Sequence, residues 1–399
     1  MINPLTTLSA LVQQISAQPD VREPADTLPM DGSALLHMDN LAAMAMIPPA
    51  SIDFIYIDPP FASNATYHQR IVLPGHTIVR DAYADTWPQG LSSYLEFLVP
   101  RLVAMRPLLK HTGSICVHLD THSSHYVKIA LDAIFGQDQL INEVIWRYGK
   151  MSNTSRRFPQ NHDTLLIYGA SPDWYFQPQH TLPSEYRARF ARDLTGNRVL
   201  YGTVKHRTDK LIHRRIIART RQLDRDLHDD DVLFDFDTER KAQDDVFTDI
   251  SIIKGNAREG QGYATQKPMQ LVQRLIAAYC PPGGMVADFF CGSGTTGAAA
   301  QALGRNWLLA DIGLPAIQTA RLRLHPAAFA FHRAAGLTPP SFVLAPDGSI
   351  ADFRLDDLQL NPADAAAVAH LLRTDPAALI AGTIDETVID VFGREARAG

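Results

Sequence analysis

The stretch Asp288–Thr296, DFFCGSGTT, joins a predicted strand over Val286–Phe290 to a predicted helix over Thr295–Leu303 and overlaps the end of the first and the start of the second. Its two glycines let the backbone approach a ligand closely, and the start of a helix presents free N–H groups to that ligand. The next predicted strand, Trp307–Ala310, ends beside Asp311. A carboxylate in that position accepts hydrogen bonds from ribose hydroxyls. The pattern therefore predicts a site for a nucleoside.

The spacing of this turn differs from the dinucleotide fingerprint GxGxxG. Gly294 is followed by two threonines, and no third glycine occurs at the expected place. A mononucleoside such as S-adenosylmethionine, which has no pyrophosphate to hold, therefore fits better than NAD. An NAD-dependent oxidoreductase stays open as an alternative, and so does an isolated glycine-rich turn with no ligand.

A second motif, Asp58–Phe61 (DPPF), follows the apolar run Ile52–Ile57, which we predict to be a buried strand. The two prolines stiffen the loop and remove two N–H donors. An acid beside an outward carbonyl offers two acceptors, which suit an exocyclic NH2 group, and Phe61 offers a face for stacking on a planar ring. The alternative is an Asp-Pro turn with a phenylalanine in the core.

The rest of the chain alternates between strand and helix patterns. Besides the elements above, we predict strands over Ser114–Leu119, Val144–Trp146 and Thr164–Tyr168, and helices over Ser93–Lys110, His122–Phe135, Pro268–Tyr279 and Pro315–Leu324. Strands separated by helices predict an α/β fold with a parallel sheet covered by helices on both faces.

Composition excludes several classes of protein. The chain has 399 residues, 46% of them hydrophobic, and a formal net charge of −6, which excludes wholesale disorder. The three cysteines are too few for a disulfide framework and lack zinc-binding spacing, so we expect no metal site. We see no run long enough to span a membrane and no secretory signal. These features predict a cytoplasmic protein.

Charge is unevenly distributed along the chain. Residues 185–225 contain twelve cations and four acids, whereas residues 335–399 contain four cations and ten acids. A basic insert within an α/β chain is a candidate partner-binding region, although a solvated helix face is the simpler alternative. The whole-chain charge of −6 therefore does not argue against a local surface for nucleic acid.

Taken together, the motifs resemble the permuted β group of DNA amino-methyltransferases, in which a DPPY or DPPF motif precedes an FxGxG cofactor motif. The resemblance covers roughly residues 31–170 and 255–325. Further segments that fit it are Gly113–Asp120 (GSICVHLD), His125–Lys128 (HYVK), Asn142–Trp146 (NEVIW), His162–Thr164 (HDT) and Thr265–Pro268 (TQKP).

The resemblance implies a Rossmann-like methyltransferase sheet and methyl transfer from S-adenosylmethionine to N6 of a flipped-out adenine in double-stranded DNA. The implied catalytic residues are Asp58, Pro59, Pro60 and Phe61. The implied cofactor-binding residues are Gln266, Lys267, Pro268, Asp288, Phe290, Cys291, Gly292, Ser293, Gly294, Thr295, Thr296 and Asp311. Candidate DNA contacts in or near the insert are Arg156, Arg157, Arg187, Arg189, Arg214 and Arg215.

The motifs and the changes in composition along the chain together predict five parts. These are an N-terminal arm (1–30), a catalytic half (31–170), an inserted target-recognition region (171–255), a cofactor half (256–334) and an acidic extension (335–399).

Asp at the first position of the DPPF motif favours adenine, since N4-cytosine enzymes of the group more often have Ser there. The alternatives are an N4-cytosine methyltransferase and a non-catalytic DNA-binding protein on the same fold. A restriction subunit is an expected partner, and a homodimer is an expected assembly.

Overall fold

The two strands that lead into the predicted motifs are neighbours in the central sheet. In a computed structural model, β2 (Ile52–Ile57) runs parallel to β14 (Met285–Asp288), and Ile55 lies opposite Ala287. Every residue of both strands is buried, as expected for strands covered on both faces. The carboxyl ends of β2 and β14 therefore meet at one edge of the sheet.

The structure describes residues 27–149, 156–181, 187, 190–208, 210–236, 238, 241–253, 257–325, 327–337, 343–344, 350–352, 362–384, 387–390 and 395–397. Most of the predicted N-terminal arm, residues 1–26, lies outside these residues, and so does Arg189.

The other strands are β1 (Ala34–His37), β3 (Ala65–Leu73), β4 (His76–Asp85), β5 (Leu109–Leu119), β6 (Leu140–Arg147), β7 (His162–Gly169), β8 (His180–Thr181), β9 (Leu194–Thr195), β10 (Arg198–Leu200), β11 (Val232–Asp235), β12 (Lys241–Ala242), β13 (Val246–Phe247), β15 (Asn306–Asp311), β16 (Ala330–Arg333), β17 (Val343–Leu344), β18 (Ile350–Asp352), β19 (Ile380–Ile384), β20 (Thr387–Asp390) and β21 (Glu395–Arg397). The helices are α1 (Asn40–Ala45), α2 (Leu91–Met105), α3 (Ser124–Phe135), α4 (Tyr201–Val204), α5 (Lys210–Leu223), α6 (Met269–Tyr279), α7 (Thr295–Ala302), α8 (Leu314–Leu324) and α9 (Pro362–Thr374).

Within the described residues, the central sheet has nine strands in the order β13-β6-β7-β5-β2-β14-β15-β1-β16. One core cluster packs α2 and α3 on one side, and a second packs α6, α7 and α8. The predicted α/β class is confirmed. The sheet is not wholly parallel, however, because β7 runs antiparallel to both β5 and β6. After β2 the chain continues to β5 on one side of the sheet, and after β14 it continues to β15 on the other side. Open sheets bind ligands at such a switch point between neighbouring strands.

A hairpin formed by β3 and β4 follows the DPPF motif, and the sequence analysis did not predict it. Its inner side chains, Ile71, Leu73 and Ile78, pack with Val368 and Leu371 of α9, so part of the acidic extension covers the hairpin. The predicted helix over Ser93–Lys110 was also too long. Helix α2 ends at Met105, and β5 already begins at Leu109.

The chain divides into two compact units. One unit contains Met1–Gln177 and Asp245–Gly399, and the other contains Pro178–Asp244. The second unit has its own core, which includes Phe190, Ile212 and Phe234, around the antiparallel strands β9, β10 and β11. A segment with its own core can be treated as a separate module.

No helix in the described part of the chain is long and apolar enough to cross a membrane. No group of three or more His, Cys, Asp or Glu side chains there is placed to hold a metal ion.

Candidate active site

A cavity of about 230 Å³ lies at the carboxyl ends of the central strands. Predicted site residues on its wall are Asp58, Pro60, Gln266, Lys267, Asp288, Phe290, Cys291, Gly292, Ser293, Thr295, Thr296 and Asp311. Pro59, Phe61, Pro268 and Gly294 do not reach the wall. The structure thus brings both motifs to one cavity, although Asp58 and Phe290 are 232 residues apart in the chain.

Asp58 presents its two carboxylate oxygens to different surroundings. Oδ2 accepts a hydrogen bond from Lys267 Nζ at 2.5 Å, and the two side chains are 17% and 10% exposed. Oδ1 is buried, and no hydrogen-bond donor among the described residues reaches it. A buried acceptor without a partner is costly unless a ligand supplies the donor. The site therefore holds an acceptor that is ready for an incoming N–H or O–H group.

Lys267 was predicted to line the cofactor pocket, and the structure adds two contacts to that position. Its ammonium group pairs with Asp58 and lies 5.0 Å from the centre of the Phe61 ring. A cation over an aromatic face is attracted by the ring quadrupole. Lys267 therefore links the TQKP segment to both ends of the DPPF motif.

The glycine-rich turn is held in shape by Asp311. This carboxylate accepts hydrogen bonds from the N–H of Gly292 at 2.9 Å and from the N–H of Gly313 at 2.8 Å. Gly292 and Gly294 both have positive φ, 48° and 75°, a conformation that strongly favours glycine. A Cβ atom at Gly292 would lie 3.4 Å from the ring of Tyr263 on the cavity wall. The turn thus exposes backbone where a side chain would narrow the cavity.

Asp288 is buried at the end of β14. It accepts hydrogen bonds from Thr296 Oγ1 at 2.5 Å and from Phe290 N at 2.9 Å. Burial raises the pKa of Asp288 from 3.8 to about 7, against the opposing effect of these hydrogen bonds. Burial also raises the pKa of Asp311. Two carboxyl groups at the ends of adjacent strands therefore resist ionisation.

The pKa of Asp288 leads to a prediction about stability. Because the folded-state pKa lies above the unfolded value, the contribution of Asp288 to stability is fully present below about pH 4 and is lost as pH rises toward about 7. We expect Asp288→Asn to remove a decline of up to about 1.4 kcal/mol per pH unit in this range. Urea unfolding of both proteins at several pH values measures this difference, and identical pH profiles would show that folding does not raise the pKa of Asp288.

A mostly buried network of four polar side chains, which no motif predicted, joins Tyr56 of β2 to His118 of β5, Asp163 of β7 and Tyr148 just after β6. Tyr56 Oη contacts His118 Nδ1 at 2.8 Å, His118 Nε2 contacts Asp163 Oδ2 at 3.1 Å, and Tyr148 Oη donates to Asp163 Oδ1 at 2.9 Å. Burial opposes ionisation of Asp163, but the hydrogen bond and charge of His118, the charge of Lys267 and the hydrogen bond of Tyr148 together lower the pKa of Asp163. His118 thus has two partners, and its ring lies 6.1 Å from that of Phe61.

A further part of the cavity wall was also missed. Asp39 and Asn40, which follow β1, bond the Arg101 side chain at 3.0 Å and 2.6 Å, and the guanidinium lies 3.7 Å from the centre of the Phe97 ring. Burial lowers the pKa of Arg101 against the opposing effect of Asp39. The run Ala34–His37 is a short buried strand followed by polar residues, the same signal that located Asp58.

The candidate DNA contacts that the structure describes lie in two settings. Arg156, Arg157, Arg187 and Arg214 are exposed, and Arg187 donates to Asn197 at 2.8 Å. Arg215 is only partly exposed and lies 4.7 Å from the centre of the Phe234 ring, so it packs on the core of its own unit. The role of these arginines in DNA binding stays a prediction.

The positive charge of the insert is partly neutralised within the fold. Ion pairs join Arg198 to Asp235, Lys205 to Asp229, Arg207 to Asp193 and Arg225 to Asp231. The cations of α5 differ, since no described carboxylate pairs with Lys210, Arg214 or Arg221, and all three are exposed. They recur at helical spacing, so they form one stripe on α5.

Comparison with known proteins gives matches over much of this chain. A family model described as DNA methylase matches residues 52–321. The chain is 30% identical to the Type II methyltransferase M.KpnI of Klebsiella pneumoniae over 43% of this chain and 40% of that protein. It is 26% identical to the Type II methyltransferase M.EcaI of Enterobacter cloacae over 73% of this chain and 69% of that protein.

Two further matches extend these comparisons. The Mod subunit of the Type III restriction-modification enzyme StyLTI of Salmonella typhimurium is 25% identical over 63% of this chain, which spans 47% of that subunit. The structure of PvuII DNA methyltransferase (cytosine-N4-specific) aligns with a TM-score of 0.46 at 14% identity, covering 76% of this chain and 91% of that one.

Proposed function

The chain belongs to the DNA methylase family, and we propose that it transfers a methyl group from S-adenosylmethionine to N6 of an adenine flipped out of duplex DNA. One observation carries the proposal: Asp58 Oδ1 is a buried acceptor without a partner on the wall of the cavity that the glycine-rich turn also lines. An exocyclic amine supplies the missing donor.

The residues around the cavity fit the cofactor. The Asp311 carboxylate suits the ribose hydroxyls, and the bare backbone at Gly292 leaves room that a Cβ would restrict. We assign the cofactor to Asp311, the turn from Phe290 to Thr296, and the TQKP segment. When bound, S-adenosylmethionine supplies a methyl group on a positively charged sulfur, which keeps the electron pair of the broken carbon–sulfur bond.

Asp58 acts on the amine by hydrogen bonding. The lone pair of adenine N6 is delocalised into the ring, so the nitrogen is a weak nucleophile. Hydrogen bonds from its two hydrogens to Asp58 Oδ1 and to the Pro59 carbonyl draw the nitrogen toward tetrahedral geometry and localise the lone pair. As the nitrogen bonds the methyl carbon it gives up one of these protons, for which Asp58 Oδ1 is the acceptor. Most of the acceleration then comes from positioning and electrostatics.

The target base must leave the helix before it can react, because a duplex hides its amine. Phe61 provides a face on which the extruded base stacks. Lys267, which contacts both Asp58 and the Phe61 ring, holds the acceptor and the stacking ring in one arrangement. Asp rather than Ser at position 58 supports adenine over cytosine as the substrate.

The order of motifs supports membership of the permuted β group, since the DPPF motif precedes the glycine-rich turn in this chain. The parallel pairing of β2 with β14 is consistent with that order. In this proposal the chain is the modification component of a restriction-modification system. Its restriction subunit and a homodimeric assembly are parts of the same proposal.

A methylation assay tests the proposal directly. The purified protein is incubated with labelled S-adenosylmethionine and mixed-sequence duplex DNA, which is then digested to nucleosides and analysed by mass spectrometry. We expect N6-methyldeoxyadenosine. Finding N4-methyldeoxycytidine instead would overturn the choice of base, and finding neither product on any duplex would overturn the enzymatic proposal. Sequencing of modified bases in cells that express the protein would give the recognition site.

We assign target recognition to the inserted region, 171–255, which contains the separate unit Pro178–Asp244. The exposed stripe of α5, formed by Lys210, Arg214 and Arg221, is the best candidate for contact with DNA. Unpaired cations on one helix face bind the negative phosphates of a duplex, and arginine can also donate hydrogen bonds to the edge of guanine.

Replacing Arg214 with alanine tests this assignment. We expect weaker DNA binding and, if Arg214 contacts a phosphate, a slope of log affinity against log salt that falls by about 1. Fluorescence anisotropy at several salt concentrations measures both quantities. Arg225→Ala is the matched control because Asp231 already neutralises that arginine. Equal effects of the two substitutions would contradict the role of α5.

A further inference from the structure

The carboxylate of Asp85 lies at the end of β4 and belongs to none of the motifs above. Its residue is 1% exposed. Among the described residues no cation pairs with it, so hydrogen-bond donors alone stabilise its negative charge. A buried charge is retained only where such donors are well placed, and the identity of these donors shows what Asp85 does.

Three consecutive backbone N–H groups of the DPPF loop converge on this carboxylate. Phe61 N donates to Oδ2 at 3.0 Å, Ala62 N to Oδ1 at 3.1 Å, and Ser63 N to Oδ2 at 2.9 Å. The Ser63 hydroxyl and the Trp87 indole add bonds of 2.7 Å each. Successive N–H groups that point to one centre form an anion-binding concavity. Here the anion is a side chain of the same protein.

The loop needs this acceptor because of its own sequence. Pro59 and Pro60 have no N–H group, so the first backbone donor after Asp58 is that of Phe61. Ala62 has a positive φ of 60°, which is unfavourable for a residue other than glycine or asparagine. The hydrogen bonds to Asp85 hold the loop in a conformation that its sequence alone disfavours.

We propose that Asp85 is a positioning residue for the catalytic loop: it fixes the backbone of Phe61, and thereby the ring on which the target base stacks and the acceptors at Asp58 and Pro59. This inference rests on the proposed methyl transfer. Asp85 touches neither substrate nor cofactor in this assignment, and it acts through the loop. A displacement of about 1 Å in such a loop can cost roughly 10²-fold in rate.

The main test is Asp85→Asn, which keeps the size of the side chain but turns one acceptor into a donor that faces the loop N–H groups. We expect kcat to fall by roughly 10²-fold, while the affinity for S-adenosylmethionine, measured by calorimetry, changes by less than about threefold. The matched control is Asp81→Asn on the same strand, where the carboxylate is 75% exposed and contacts only His68 among the described residues. Its kcat should match that of the wild type.

A second measurement does not depend on turnover. Amide hydrogen exchange of residues 61–63 should be slow in the wild type and clearly faster in Asp85→Asn, with no such change in Asp81→Asn. If the wild type transfers no methyl group, the proposed function fails, but exchange still decides whether Asp85 holds the loop.

If Asp85→Asn does not fold, the double variant Ser63→Ala with Trp87→Phe removes two of the five bonds and leaves the carboxylate in place. We expect this variant to show an intermediate loss of kcat and intermediate exchange. The proposal is overturned if kcat and exchange in the variants equal those of the wild type, or if cofactor affinity falls as much as kcat, which would indicate a general structural role.

Discussion

Asp58→Ala is expected to lower the rate of methyl transfer by on the order of 10³-fold, the usual effect of removing one preorganised group that stabilises a transition state. The substitution deletes the unpartnered acceptor Oδ1 together with the oxygen that binds Lys267. The amine of the target base then keeps its lone pair delocalised. Incorporation of labelled methyl groups into DNA measures the loss.

The same substitution also leaves the mostly buried ammonium of Lys267 without its partner. Breaking such a pair from one side is destabilising, by about 2 to 3 kcal/mol here, whereas replacing both partners with apolar groups is often neutral. The double variant Asp58→Ala with Lys267→Met should therefore regain the stability of the wild type in urea unfolding while its activity stays lost. Activity of Asp58→Ala within tenfold of the wild type, or recovery of activity in the double variant, would contradict the role of Asp58.

The sequence predicted the central strands well because buried parallel strands are short apolar runs with distinct ends. The run Ile52–Ile57 was predicted with the same bounds that β2 has, and the helix over Pro315–Leu324 differs from α8 by one residue. The polar residues after such runs lie at the carboxyl edge of the sheet. By that rule Asp58 and Asp311 were expected at this edge, and both line the cavity, whereas Asp288 was placed inside its predicted strand.

Other parts of the site follow no local pattern. Strand β3 alternates between exposed and half-buried residues over most of its length, so its sequence lacks the apolar run that marks a core strand. Asp85 gains its role only when the chain turns back to the loop that ends at Ser63. Likewise, the ion pair between Asp58 and Lys267 joins residues 209 positions apart. Such contacts depend on the tertiary fold, which local periodicity does not encode.

Gly294→Ala is expected to destabilise the fold and to abolish cofactor binding together. Gly294 has a φ of 75°, and a Cβ there would lie 2.9 Å from Cβ and 3.1 Å from Cα of Ala320 on α8. The backbone conformation costs an alanine about 1 kcal/mol, and forcing an extra carbon into a packed site costs typically 1 to 3 kcal/mol more. We therefore expect the free energy of unfolding to fall by about 3 kcal/mol.

The control for this substitution is Gly304→Ala. Gly304 has a similar φ of 67°, but no atom lies within 4 Å of the added Cβ. It therefore isolates the cost of the backbone conformation, about 1 kcal/mol, and should leave cofactor affinity unchanged. The difference between the two variants in free energy of unfolding measures the cost of crowding between the start of α7 and Ala320 of α8. This contact positions the turn beside the cavity. Equal destabilisation by both substitutions, or normal S-adenosylmethionine affinity in Gly294→Ala, would show that this contact does not shape the cofactor site.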